Sequence, residues 1–264
     1  MYMRTRIYLF ILLAAFFTAW ASANPARAES QKNDAEAILK AMSDYISSQK
    51  TIEFTFDSDI EVITPQLEKI QFTNSGKMLL SRPEKFRAHR KGGYADVALF
   101  FDGKTVSILD KHNNGYAQFD APGSVDQLVE TLRAGHGISM PGGDFLLTNS
   151  YEVLMAEVME AKHIGLGVID GVDCKHLAFR NHDTDWQLWV ETGDKPIPRK
   201  LVITSKDINS APQYTVRIKS WETDLEPASD AFKFTPPAGS HKLDSNALIH
   251  LDELPEGSSE GGSQ

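Results

Sequence analysis

GKMLLSRPEKFR, residues 76–87, is where a half-buried strand runs into an Arg-Pro corner and a second strand leaves it. Met78 and Leu80 alternate with Lys77 and Leu79 up to Arg82, the period of two that sends successive side chains to opposite faces of a sheet. Pro83 cannot donate to a ladder and biases Arg82 toward extended backbone. Phe86 then resumes the pattern. The corner presents a permanently charged guanidinium, suited to clamping carbonyls or a carboxylate and unsuited to general-base work. The plain alternative is a surface Arg at a hairpin corner, because most exposed Arg residues have no specific role.

The same period extends on both sides of the corner. Upstream, Ile52, Phe54, Phe56, Ile60 and Val62 alternate with Glu53, Thr55, Asp57, Asp59 and Glu61, and after Pro65 the pattern returns at Ile70 and Phe72. Such alternation predicts strands with one wet and one buried face. Downstream, Lys85–Lys91, Val97–Phe101, Thr105–Leu109 and Tyr116–Phe119 read as strands. Gly92-Gly93, Asp102-Gly103 and Asn113-Asn114-Gly115 supply the turns of an antiparallel meander. Before the first strand, Ala35, Ile38, Leu39, Met42, Tyr45 and Ile46 recur at helical spacing and predict a helix over Asp34–Lys50.

Beyond the meander the period changes. Ser124–Arg133 reads as a helix with a Ser124…Gln127 capping box, and Asn149–Ala161 as a second, opening at Asn149…Glu152. Between them His136–Asp144, with Gly135 before it, holds Gly137, Pro141, Gly142 and Gly143, the composition of a hinge. Strands resume at Glu160–Ile169, Lys175–Arg180, Trp186–Glu191, Lys200–Ser205 and Tyr214–Trp221. The order is met by a mainly β (α+β) fold in which one curved antiparallel sheet carries helices on its concave face, since the buried side of a meander needs a cover. A β-sandwich with a helical insert is the competing architecture.

Met1–Ala28 has the parts of a secretory signal: Arg4 and Arg6, an apolar run from Ile7 to Phe17, then small residues, with cleavage expected between Ala28 and Glu29. The apolar run is shorter than the roughly 20 residues that span a bilayer. Residues 29–242 are expected to form one domain, and 243–264 an acidic, Gly/Ser-rich flexible tail. Residues 1–28 hold three Arg and no acid, so their removal moves the formal charge from −9 to −12. That balance disfavours nucleic acid and anionic headgroups as partners. A single Cys, Cys174, excludes an internal disulfide, so stability must come from packing.

Cys174 and His176 stand two apart on one expected strand and share a face, which makes a Cys/His hydrolase conceivable if a third group orients the imidazole. The plain reading is a small buried hydrophobe beside a neighbour. His182-Asp183-Thr184-Asp185 offers metal-ligating atoms but falls where a turn is expected, and Gly165 and Gly167 lack the strand-then-helix setting of a phosphate loop. No cofactor and no metal are expected. What remains is apolar surface. Met140, Met155 and Met159, three of the five Met outside residues 1–28, fall in the hinge and second helix beside Phe145, Leu146, Leu147 and Leu154; Met lets a surface adapt to varied ligands, and the equal alternative is that these residues plug the sheet permanently.

Three blocks, GKMLLSRPEKFR at 76–87, FDGKTVSILD at 101–110 and DAFKFTPPAGS at 230–240, resemble in order and separation the signature segments of the periplasmic lipoprotein carrier (LolA-like) superfamily. IDGVDCKHLAFRNHDTDWQLWVETGDKPIPRKLVIT at 169–204 instead resembles an uncharacterised exported branch of it. The resemblance implies an unclosed barrel with a helical lid, a hydrophobic cavity and no catalysis. By position Arg82 would be the lid latch, and Phe54, Phe56, Ile70, Phe72, Met78 and Phe86 would line the cavity with Met140, Phe145, Met155 and Met159. Basic residues Arg87, His89, Arg90 and Lys91 replace an aromatic common after the corner in that family. The expected protein is a soluble, monomeric periplasmic carrier of lipid or lipoprotein acyl chains. The alternative is a sensor domain signalling to an inner- or outer-membrane envelope protein.

Overall fold

The computed structural model describes residues 25–135, 138, 140 and 142–243. The expected signal segment before Pro25 and the tail after Leu243 lie outside the described residues. Twelve strands form one sheet: β1 (Thr51–Ile63), β2 (Lys69–Ser81), β3 (Lys85–Gly92), β4 (Asp96–Phe101), β5 (Thr105–Asp110), β6 (Gly115–Asp120), β7 (Glu160–Ile169), β8 (Val172–Arg180), β9 (Thr184–Glu191), β10 (Pro198–Ser205), β11 (Gln213–Thr223) and β12 (His241–Lys242). The spatial order is β12-β6-β5-β4-β3-β2-β1-β11-β10-β9-β8-β7. Two meanders are therefore joined back to back. The curved sheet does not close on itself, and the sandwich alternative is excluded.

The joint is the β1–β11 pair. Its register shifts between Thr55 and Phe56, the mark of a β-bulge that bends a strand. Phe54 stacks on Trp221 across the pair at 5.3 Å between ring centroids, and the hydroxyls of Thr55 and Ser220 are 2.7 Å apart on the other face. Gly76 on β2 lies opposite Phe56. A Cβ there would come within 2.3 Å of the Phe56 ring and 2.8 Å of the His89 carbonyl oxygen, so only glycine lets the ring lie flat on the sheet.

Three helices cover the core face: α1 (Pro25–Ser48), α2 (Val125–Glu130) and α3 (Ser150–Met155). Helix α1 begins earlier than the apolar spacing alone predicts, with Pro25 in its first turn, where proline costs no hydrogen bond. It buries Ala35, Leu39, Met42 and Ile46 and lies against β7, β8 and β9. Ser124 caps α2 as expected: its hydroxyl accepts from the Gln127 amide at 3.3 Å, and the Gln127 side chain accepts from the Ser124 amide at 2.8 Å.

The chain departs from expectation after Glu130. The helix passes into a π turn at Thr131–Gly135, and a short 3-10 helix, Gly143–Leu146, follows Gly142 at φ 81°. The second long helix is replaced by α3, and Asn149 makes no side-chain cap. Met159 instead donates its amide to the Arg180 carbonyl at 2.8 Å. Pairing with β8 thus claims backbone that helical spacing alone would extend. Strand β12 was also unforeseen: it pairs with β6 in parallel, the one parallel step in the sheet.

Candidate functional site

Both arms of the lid hang from the Arg-Pro corner. Arg82 Nη2 donates to the Leu146 carbonyl of the 3-10 helix at 2.7 Å, and Arg82 Nε to the Gln49 carbonyl just beyond α1 at 3.2 Å. The next residue completes the attachment: the Pro83 carbonyl accepts from the Val125 amide at the start of α2 at 2.8 Å. Burial pushes the Arg82 pKa down, with Asp126 opposing the shift. Arg still holds its proton throughout the physiological range, so the two carbonyls face a permanent charge. Hydrogen bonds of this kind are about twice as strong as neutral ones.

The arms are also tied to each other. Thr148 donates its amide to Asp126 Oδ1 at 3.2 Å and its hydroxyl to Asp126 Oδ2. Arg133 pairs with Asp144 at 2.5 Å, which raises the Arg133 pKa. These ties cross from the first arm to the second on the exposed side. The lid can therefore hold together as a unit while its attachment to the sheet changes.

Where it meets the sheet, Phe54, Phe56, Leu80, Phe86 and Phe101 are buried in one cluster with the lid's own Leu128, Leu132 and Phe145. Met78, Met140 and Met155 pack against that cluster, partly buried. Ile70 and Phe72 share the same sheet face but lie at the open β1–β2 hairpin end, where Phe72 meets the edge of Tyr94 at 5.4 Å. Ile70 and Tyr94 are exposed there. Met159 is 70% exposed, in the segment leading into β7; it does not face the lid's interior, because the chain has already turned to pair with β8. Of the expected lining residues, the structure thus brings seven under or against the helical cover.

Reading the sequence missed polar members of this face. Ser58 Oγ and Trp221 Nε1 are buried without a hydrogen-bond partner, a condition that costs about 1–3 kcal/mol per group. Ser58 occupies an inward position of the β1 alternation, so its place was legible even though its isolation was not. On the other face a polar groove of about 800 Å³ is lined by residues including Asp57, Asp59, Thr73, Ser75, Lys91 and Arg217. Its charges are largely matched; Ser75 donates to Asp57 at 2.6 Å, and Arg217 and Lys219 meet Asp170 at 3.4 and 2.7 Å.

Cys174 and His176 share that outer face of β8 but are engaged apart. The thiol donates to the Val172 carbonyl at 3.4 Å, whereas His176 Nε2 meets Gln187 Oε1 at 2.9 Å and its ring stacks on Trp189 at 4.1 Å. Burial pushes the thiol pKa up and the imidazole pKa down. An activated thiolate needs the opposite shift. His182 bonds the adjacent Asp183 in the turn before β9. Among the described residues no group of three or more His, Cys, Asp or Glu side chains could hold a metal ion, and no helix is long and apolar enough to cross a membrane.

A family model described as a predicted periplasmic protein (DUF2092) matches residues 35–245. An uncharacterised protein of Methanocaldococcus jannaschii is 22% identical over 252 residues, covering 93% of this chain and 63% of its own length. Among solved structures, Pseudomonas aeruginosa MucB in complex with MucA is similar at TM-score 0.46 and 13% identity, over 76% of this chain and 61% of that one. Mycobacterium tuberculosis lipoprotein LppX is similar at TM-score 0.42 and 10% identity, over 74% and 98% of the two chains. A LolA superfamily protein of Nitrosomonas europaea gives 0.35 and 13%, over 76% and 97%.

Proposed function

The chain belongs to the DUF2092 family of predicted periplasmic proteins, and we propose that it works in the periplasm as a carrier or binding protein for a hydrophobic ligand, a lipid or a lipoprotein acyl chain. The observation that carries this reading is an apolar sheet face roofed by a lid that hangs from one corner, at Arg82 and Pro83. In the closed form the lid's own Phe145 and Leu146 share one buried cluster with Phe54, Phe56 and Phe86, and Met155 packs against it. A lid that swings away from the corner as one body, its arms held together by Asp126–Thr148 and Arg133–Asp144, exposes that face to an acyl chain. Each buried CH₂ then returns about 0.8 kcal/mol, and reclosure on Phe145 and Leu146 returns a comparable amount on release. Loading and unloading are thereby kept near balance. Phe72 and Tyr94 form the open end through which a chain enters.

The test is mass spectrometry of lipid extracted from the protein after export to the periplasm. The expected result is a reproducible lipid at a fixed molar ratio, and Arg82→Leu should exchange a fluorescent fatty acid faster than the parent. A protein recovered empty that takes up no such probe would overturn the reading.

A further inference from the structure

Of the basic run Arg87, His89, Arg90 and Lys91 on β3, three side chains turn to the outer face. Arg87 lies over the Phe100 ring at 5.0 Å and reaches the Ala231 carbonyl at 3.4 Å, while His89 and Lys91 meet Asp96 at 2.7 and 4.0 Å. Arg90 turns the other way. It shares the inward side of β3 with Phe86 and Ala88 and stands opposite Val97, which packs on the core cluster. Across β1–β6 the inward positions carry two charged side chains among the described residues, Arg90 and Asp110. Asp110 serves its own turn, accepting from the His112 and Asn113 amides and from Asn113 Nδ2 at 2.7 Å. The charge presented to the ligand space is therefore the cation.

Its neighbours make a polar step in the apolar face. Arg90 Nη1 donates to Asn74 Oδ1 at 3.5 Å, Asn74 is buried, and Ser58 stands directly opposite Asn74 on β1. Gly92 faces Asn74 from the other side. A Cβ there would lie 2.0 Å from Asn74 Oδ1, so glycine leaves the room that the amide fills. Ser58 is 1% exposed, and its hydroxyl has no hydrogen-bond partner. The step lies between the roofed part of the face and its mouth: Gly76 with Phe56, Met78, and Leu80 with Phe86 follow toward the corner, and Phe72 with Tyr94 toward the hairpin. From Arg90 back to Lys85, β3 covers about 17 Å at the rise of a strand, and its inward side chains over that length are apolar.

We infer that Ser58, Asn74 and Arg90 form a headgroup subsite, so that the ligand is an amphiphile with a carboxylate or phosphate near the mouth and its chain directed toward Phe86. The inference rests on the carrier reading above. A guanidinium presents five N–H donors in a planar fork that matches both anions, so an acidic head binds it beside Asn74 or in exchange for it. An oxygen of the same head accepts from the Ser58 hydroxyl. The acidic balance of the whole chain governs long-range attraction to charged surfaces, whereas this subsite acts at contact, on an apolar face where a charge pair is screened less than in water.

Dodecanoate and dodecanol, equal in chain and different in head, test this by calorimetric titration of the full mature chain. The parent should bind dodecanoate, and dodecyl phosphate likewise, about 10- to 100-fold more tightly than dodecanol. Arg90→Met should bring the acid down to the alcohol while leaving the dodecanol affinity and the circular dichroism spectrum unchanged; Ser58→Ala should lower the preference about threefold or more without loss of stability. Equal affinity of the parent for acid and alcohol, or a preference that survives Arg90→Met or is untouched by Ser58→Ala, would overturn the subsite and leave the carrier reading standing. A parent that binds neither compound would overturn both. Displacement of dodecanoate by inorganic phosphate alone would assign the step to a free anion and overturn the lipid head.

Discussion

At the Arg-Pro end of the sheet the apolar face is roofed; at the β1–β2 hairpin end it is open. The two ends share one alternation and the same residue types. Phe54 and Phe86 are buried at the first, whereas Ile70 and Tyr94 are exposed at the second. The difference lies in the cover. Arg82 and Pro83 hold both lid arms at the corner, and α1 lies across β7, β8 and β9, so burial falls away toward the hairpin. Hydrophobic pattern selects a face, and the attachment of the helices selects how much of that face is core.

The largest effect that can test this contrast is a cavity. Phe86→Ala should cost about 3–5 kcal/mol in chemical denaturation, and Phe72→Ala at the open end about 1 kcal/mol or less; equal costs would erase the distinction. A smaller, local effect separates the lid from the sheet. Arg82→Leu removes two charge-assisted bonds and should speed amide exchange across Val125–Met155 by roughly tenfold to a hundredfold, with β3–β6 unchanged. Unchanged exchange in the lid would remove Arg82 as its latch. The smallest effect is chemical. Burial raises the Cys174 pKa, so near neutral pH the thiol stays protonated, and alkylation should be slow until denaturant is added. Rapid labelling of the folded chain would mean that the outer face of β8 opens independently of the lid.

Much of this fold could be read locally. Every strand expected from the period of two is present, and the Ser124–Gln127 box was legible because a cap is decided by residues three apart. The lid was read less well. Spacing over Asn149–Ala161 fits a helix, yet Met155 ends it and Met159 turns to solvent, because Met159 donates its amide to the Arg180 carbonyl. For the candidate site, a charge at an Arg-Pro corner could be foreseen, but not its acceptors. Gln49 and Leu146 lie 33 and 64 residues away from Arg82 in the chain.

The sequence by itself determined which side chains share a face and where the chain turns, since side-chain alternation and turn chemistry are set by neighbours a few residues apart. Only the tertiary structure decided that β1 pairs with β11, joining Thr55 to Ser220 across 165 residues. It likewise decided that β7 stands at the end of the sheet among the described residues, with Ile164, Leu166 and Val168 exposed. Pairing partners and edges follow from the total surface that one arrangement buries, and no local window contains that sum.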